Sequence, residues 1–168
     1  MTDTIQICSL EATEAETLSA LAAEIWRAHY PGIISVAQIE YMLKQRYNPS
    51  LLREELGRSD LWWDVLLVNG VMSGYASYCL TDTPGDIKLD KLYVKPALHR
   101  QGLGARLARH VMDQARQRGC SWLTLAVNRD NHAAIAAYRK WGFEVTATSL
   151  REIGSGFVMD DYLMAIKL

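Results

Sequence analysis

Apolar residues alternate along Ile87-Lys88-Leu89-Asp90-Lys91-Leu92-Tyr93-Val94, but the alternation changes phase: Ile87 and Leu89 have odd parity, Leu92 and Val94 even. A strand sends successive side chains to opposite faces, so a slip of one residue would turn an apolar set towards solvent. The pattern therefore predicts a β-bulge, with an extra residue at Asp90 or Lys91, and a bulge leaves backbone groups unpaired and available to a ligand. A simple strand end with Tyr93 half-buried is the plainer alternative. Beyond it, Leu103, Leu107, Val111 and Ala115 recur at helical spacing, with Gly102-Leu103-Gly104 at the start of that helix. Free N–H groups and the positive end of the helix dipole make such a start a seat for phosphate.

The other elements follow from the same reading. Ile5 and Ile7 mark a short first strand, and Leu18, Leu21, Ala22, Ile25, Trp26 and His29 form the stripe of an amphipathic helix broken by Pro31-Gly32. Ser35-x-x-Gln38 is a capping-box signature for a second helix carrying Ile39, Met42 and Leu43, and a short third helix follows Ser50. Residues 62–68 and 71–80 flank Asn69-Gly70, the strongest short hairpin signal. Gly119 stops the glycine helix, and residues 122–127 form a strand with Leu123, Leu125 and Val127 on one face. Asn128 to Asn131 stand where they would cap a helix with the stripe Ala134, Ala137, Tyr138 and Trp141, ended by Gly142. In the last strand, residues 157–168, Tyr162, Met164, Ile166 and Leu168 share a side, and Asp160 and Asp161 stand at its start. These acids are either a solvated strand end or an attraction for a cationic amine. Strands and helices mixed in this way predict an α/β (α+β) fold.

Composition narrows the partners. A chain of 168 residues suits one domain with a substantial core, and 49% hydrophobic with 22% charged residues reads as soluble and globular. Eighteen basic against nineteen acidic residues leave a net charge of −1, a balance that invites neither nucleic acid nor an anionic membrane. Cys8, Cys79 and Cys120 lack C-x-x-C spacing, which argues against a disulfide framework or a metal site and for a reduced, cytoplasmic protein. No basic region precedes an apolar core at the N-terminus, and no run approaches the roughly 18 apolar residues of a membrane span. Two nucleotide motifs fail: no Lys-Ser or Lys-Thr follows the glycines, as a Walker loop needs, and Lys95 to Gln101 separate them from the strand, unlike a Rossmann turn.

The stretch resembles the GNAT superfamily of acyl-CoA N-acyltransferases. In that family the pyrophosphate loop reads Q/R-x-x-G-x-G/A after a strand ending in an L-Y-V-like triplet and a proline, matched here by Leu92-Tyr93-Val94, Pro96 and Gly102-x-Gly104. His99 takes the Gln/Arg slot, with Arg100 and Gln101 beside it as substitute polar contacts. The second signature, N-x-x-A-x-x-x-Y-x-x-x-G-F, is complete in Asn131, Ala134, Tyr138, Gly142 and Phe143. Together they cover residues 87–143. The segments GFVMDDYLM and HYPGII resemble, further, a PaiA-like polyamine acetyltransferase subgroup.

The resemblance implies a single N-acetyltransferase domain over residues 1–168. Its sheet would be mixed, mostly antiparallel, of six to seven strands, flanked by about four helices and splayed at a bulged central strand. It implies acetyl-CoA as cosubstrate, a small-molecule or peptide amine as acceptor, no metal, and room for a homodimer. Leu92, Tyr93 and Val94 would edge the thioester arm, and His99, Arg100, Gln101, Gly102, Leu103, Gly104 and Ala105 would form the phosphate loop. Asn131 either bonds the cofactor arm or caps its helix. Tyr138 either protonates the leaving thiolate, as a phenol with a reference pKa of about 10 is able to do, or packs in its apolar stripe. Where many relatives carry a basic Glu stands Lys88, so Asp90 is the substitute base, unless it only pairs with Lys88 or Lys91. Trp26, His29, Tyr30, Asp160 and Tyr162 would shape the acceptor side, His29 being alternatively a core histidine. The competing functions are peptide or protein N-acetylation, a catalytically silent acyl-CoA sensor and, less favoured, a nucleotide-binding module.

Overall fold

Residues 2–168 are described by a computed structural model, in which the strands are β1 (Ile5–Ser9), β2 (Leu61–Val68), β3 (Val71–Leu80), β4 (Asp86–Val94), β5 (Trp122–Asn128), β6 (Glu144–Gly154) and β7 (Phe157–Lys167). The helices are α1 (Ala15–His29), α2 (Val36–Arg46), α3 (Pro49–Leu56), α4 (Leu103–Gln117) and α5 (His132–Lys140), with short 3-10 turns at Ala12–Glu14 and Pro96–Leu98. All seven strands form one sheet in the order β1-β2-β3-β4-β5-β7-β6, and only the β4–β5 pair is parallel. Asn69 and Gly70 turn the β2–β3 hairpin with φ of 52° and 80°, the left-handed pair that matches strand twist.

Helices cover both faces. On one, α1 to α3 pack Leu18, Ile25, Trp26 and Tyr47 against Trp63, Val65 and Tyr75. On the other, Leu103, Leu107, Val111 and Ala115 of α4 pack against Ile87, Leu89 and Leu123, the stripe read from the sequence. The capping box at Ser35 forms only by half: its side chain accepts from Gln38 N, but the Gln38 amide donates instead to Val158 C=O at 2.9 Å, tying α2 to β7.

The phase slip is a bulge. Ser77 of β3 faces Lys91 while Tyr78 faces Leu89, so Asp90 is the extra residue. Before it Ile87 and Leu89 enter the α4 side; after it Leu92 and Val94 do, and Tyr93 joins the α1 side. The bulge also marks where β4 leaves β5. Their pairing covers only Asp86 to Lys88 against Trp122 to Thr124, after which β4 stays with β3 up to Val94 and β5 with β7 to Asn128. Gly74 lets β3 follow the bent strand closely: a Cβ there would lie 2.8 Å from the Tyr93 carbonyl oxygen.

A cluster of charges fixes the bulge. Both Asp90 oxygens accept from Arg46 of α2 at 3.1 Å, and Lys91 Nζ stands at 2.6 Å and Lys88 Nζ at 3.6 Å. Lys91, 4% exposed, also lies over the rings of Trp63 and Tyr47. Burial alone would raise the Asp90 carboxyl, but Lys91, Arg46 and Lys88 outweigh it and hold the group well below the usual carboxylate range. A carboxylate held so firmly in its charged form is a poor proton acceptor. The expectation of Asp90 as general base gives way to the ion-pair alternative.

Because the folded-state value is depressed, the stabilisation from Asp90 is present at neutral pH, above the unfolded value near 3.9, and is lost as pH falls below it. Asp90→Asn should destabilise the protein at pH 7 by roughly 3 kcal/mol, the lower end for removing one partner of a buried pair. Denaturant titrations between pH 7 and pH 3 should show that gap narrowing towards acid, and a gap independent of pH would mean that charge is not what Asp90 contributes.

Candidate active site

The glycine turn opens α4 without a side-chain cap: Gly102 is the N-cap residue with φ 76°, and Arg106 N is bonded to the Gly102 carbonyl at 3.0 Å. The N–H groups of Leu103, Gly104 and Ala105 precede that first helical bond and are free to meet an anion. A Cβ on Gly104 would make only ordinary contact with the Trp141 ring, at 3.5 Å, so nothing in the protein itself demands glycine there. His99 Nε2 donates to the Val94 carbonyl at 2.8 Å, which pins the loop to the end of β4. Arg100, at φ 63°, reaches the cavity beside these amides, whereas Gln101 is exposed and lies off its wall.

From this turn a cavity of about 890 Å³ follows the gap between β4 and β5. Leu92, Tyr93 and Val94 line one side, and Ala126, Val127 and Asn128 the other. Ala134, Ala137, Tyr138 and Trp141 of α5 form a further wall, while Ile135 makes that helix's fully buried contact. The apolar stripe of α5 is thus largely cavity lining. Tyr138 lies edge-on to Trp141 and Phe143, and burial raises its phenol, keeping it protonated at neutral pH.

Asn131, 4% exposed, makes no side-chain cap for α5. Its Oδ1 lies 3.0 Å from His29 Nε2, and since that oxygen only accepts, the imidazole donates. This bond joins α1 to the start of α5. His29 is therefore a half-buried wall residue, not a packed core histidine. Its partner lies 102 residues away, beyond any local signal.

Beyond the gap the cavity ends among α1, α2 and β7. Tyr30 and Tyr93 share a hydroxyl hydrogen bond of 2.7 Å, and burial raises both phenols. Trp26, 1% exposed, donates to Tyr47 Oη at 3.2 Å and borders the cavity as part of the core. Gln38, Met42, Arg46 and Asp161 complete this end, none of them singled out from the sequence as pocket residues except the acid.

Two expectations need correction. Asp160 and Tyr162 do not line the cavity: Asp160 is exposed and pairs with Arg129 at 3.7 Å, and Tyr162 packs on the α4 side beneath the Arg129 guanidinium. Even-numbered residues of β7 turn to that face, as Met164 and Ile166 do, so the acid on the acceptor side is the odd-numbered Asp161.

The same fold and signatures recur in known proteins. Residues 20–143 match the Acetyltransferase (GNAT) family. A spermidine N(1)-acetyltransferase of Thermoplasma acidophilum is 29% identical over 160 residues, 93% of this chain and 96% of that one. The crystal structure of a PaiA N-acetyltransferase from Thermoplasma acidophilum in complex with coenzyme A superposes with a TM-score of 0.84 at 26% identity, over 98% of this chain and 99% of its own. The ribosomal-protein-S18-alanine N-acetyltransferase of Escherichia coli shares the fold at 24% identity and a TM-score of 0.69, over 98% of this chain and 94% of its own. With free helix-start amides, a parted pair of strands and both sequence signatures on one cavity, the chain belongs to the GNAT family of acetyl-CoA-dependent N-acetyltransferases.

Proposed function

We propose that this enzyme acetylates a primary amine of a small molecule, with a polyamine as the leading acceptor, by direct attack of the amine on the thioester. The observation that carries the small-molecule reading is the covered far end of the cavity. Gln38, Met42 and Asp161 are buried although they line it, and α2 is fastened over them by Gln38 to Val158 C=O and by Tyr41 Oη to Ile153 C=O at 2.8 Å. A peptide or protein terminus would need this roof to open, so the peptide-acetylating alternative is less favoured. The polyamine choice draws on the spermidine acetyltransferase relative.

In this reading the Leu103, Gly104 and Ala105 amides hold the pyrophosphate, with Arg100 alongside. Leu92 to Val94 edge the thioester arm where β4 lacks β5 as a partner, and Tyr138 hands its proton to the departing thiolate. Among the described residues no helix is long and apolar enough to cross a membrane, and three free cysteines accord with a reducing compartment, which we take to be the cytoplasm. Residues 1–168 act as one domain.

Three measurements test the reading. With acetyl-CoA and a panel of spermidine, small monoamines, amino acids and peptide N-termini, thiol release should be fastest with the small amines; turnover of peptides alone would overturn the choice of acceptor. Gly104→Ala should fold normally, because its Cβ meets Trp141 at an ordinary 3.5 Å, yet bind coenzyme A about tenfold more weakly, a loss of about 1.4 kcal/mol. Unchanged affinity by calorimetry would remove the phosphate from this turn. Tyr138→Phe should lower kcat by about tenfold or more, within the range general acids contribute, while coenzyme A affinity and Tm stay near wild type. A parallel loss of stability would point to packing alone.

A further inference from the structure

Two carboxylates reach the cavity wall, and their surroundings differ. Asp90 is saturated by Arg46, Lys88 and Lys91. Asp161 is 3% exposed, and its Oδ1 has no hydrogen-bond partner. Its neighbours across the strands are neutral, Asn128 on β5 and Ser149 on β6. A buried acceptor without a donor costs the fold stability, and such a group in a native protein calls for an explanation. Asp161 lines the cavity, so an N–H donor bound at the end bordered by α1 and α2 would meet its carboxylate. The other polar groups at this end are engaged: the Tyr30 and Tyr93 hydroxyls with each other, Gln38 with Val158, and His29 with Asn131.

We propose that Asp161 is the acceptor-binding base of this enzyme: its carboxylate receives an N–H of the acceptor's ammonium and takes that proton before the nitrogen attacks. The inference rests on the small-amine reading above and assigns the group that reading leaves open. In the balanced sequence, R–NH3+ gives one proton to the Asp161 carboxylate, leaving R–NH2 and the carboxylic acid. The amine lone pair forms the C–N bond to the acetyl carbon, and the C–S bond breaks with its electron pair on sulfur, which takes the Tyr138 proton. The remaining excess proton on nitrogen restores Tyr138, and Asp161 returns its proton to water.

Several charges face this carboxyl: Arg46 from α2, Lys88 from β4, Arg151 from β6 and Asp160 from its own strand, with the Tyr30 phenol just after α1. Burial is the largest influence and raises the carboxyl, opposed by Arg151, Lys88 and Arg46 and assisted by Asp160. A raised carboxyl is a better proton acceptor than an ordinary one, and its basic form is lost as pH falls through the raised value.

The test is Asp161→Asn, nearly isosteric, compared with wild type on whichever amine of the panel turns over, a peptide amine included. Failure of the small-amine reading would show in the wild type's own choice of acceptor; failure of this inference shows only in the ratio of variant to wild type. We expect kcat/KM for the amine to fall by about a hundredfold or more, the lower end for a general base, with coenzyme A affinity unchanged. Because an unsatisfied buried charge is removed, Tm should hold or rise, whereas loss of a merely structural residue would lower it. The acid limb of the wild-type pH profile should disappear, and log kcat/KM of the variant should climb with unit slope towards the amine's own pKa, about 10. Should the asparagine variant misfold, Asp161→Ala with added formate gives a second reading, in which restored turnover supports the proposal. A folded variant within about threefold of wild type, with the same pH profile, would overturn it, since general bases contribute far more.

Discussion

One inserted residue, Asp90, sets the geometry on which the cavity depends. A sheet keeps its backbone groups paired, and a parallel pair such as β4 and β5 would normally zip along its whole length. Asp90 bends β4 where that pairing stops, after Lys88 and Thr124. What would have been sheet interior becomes a gap bordered by backbone groups without a strand partner. The insertion also brings Asp90 and Lys91 to one side, where Arg46 and Lys91 both bind the Asp90 carboxylate. The bend is thus held by charge from α2 as well as by β3.

The electrostatics of the cavity divide along its length. Near α4 the free amides of the helix start and the Arg100 guanidinium favour an anion. In the middle, Leu92, Val94, Ala126 and Val127 give an apolar passage beside Tyr138. At the far end the cations Arg46, Lys88 and Lys91 all gather on Asp90, and Asp161 keeps an oxygen without a hydrogen-bond partner. This gradient, anion seat to apolar passage to an acid in want of a donor, corresponds to the parts of an acyl-CoA molecule followed by an amine. Among the described residues two buried side-chain oxygens lack a partner, Ser77 Oγ and Asp161 Oδ1, and of the two only Asp161 belongs to the cavity wall, where such departures concentrate.

Much of this arrangement was legible in the residues because it is written in local periodicity. The bulge follows from parity between Leu89 and Leu92, the hairpin from Asn69-Gly70, and the phosphate seat from glycines placed before a helical stripe. The α5 stripe was legible as apolar but not as cavity wall, since a helix facing an apolar cavity and one facing a core share a pattern. The same limit applied to Trp26, which is core bordering the cavity. The contacts between Asn131 and His29 and between Asp90 and Arg46 join distant segments, and no spacing announces them. Asp161 is a different case. Alternation already set Tyr162, Met164 and Ile166 on one face, and carrying that parity back would have put Asp160 with them and Asp161 opposite. Only its burial and unpaired oxygen required the folded chain.

The function of the parted strands rests on whether the gap between β4 and β5 receives the thioester arm. A crystal structure with bound coenzyme A is the most direct measurement. Pyrophosphate is expected against the amides of Leu103 to Ala105 and the pantetheine arm between Leu92 to Val94 and Ala126 to Asn128, its sulfur close to Tyr138. Coenzyme A bound elsewhere, or β4 and β5 found zipped together beyond Lys88, would contradict this placement.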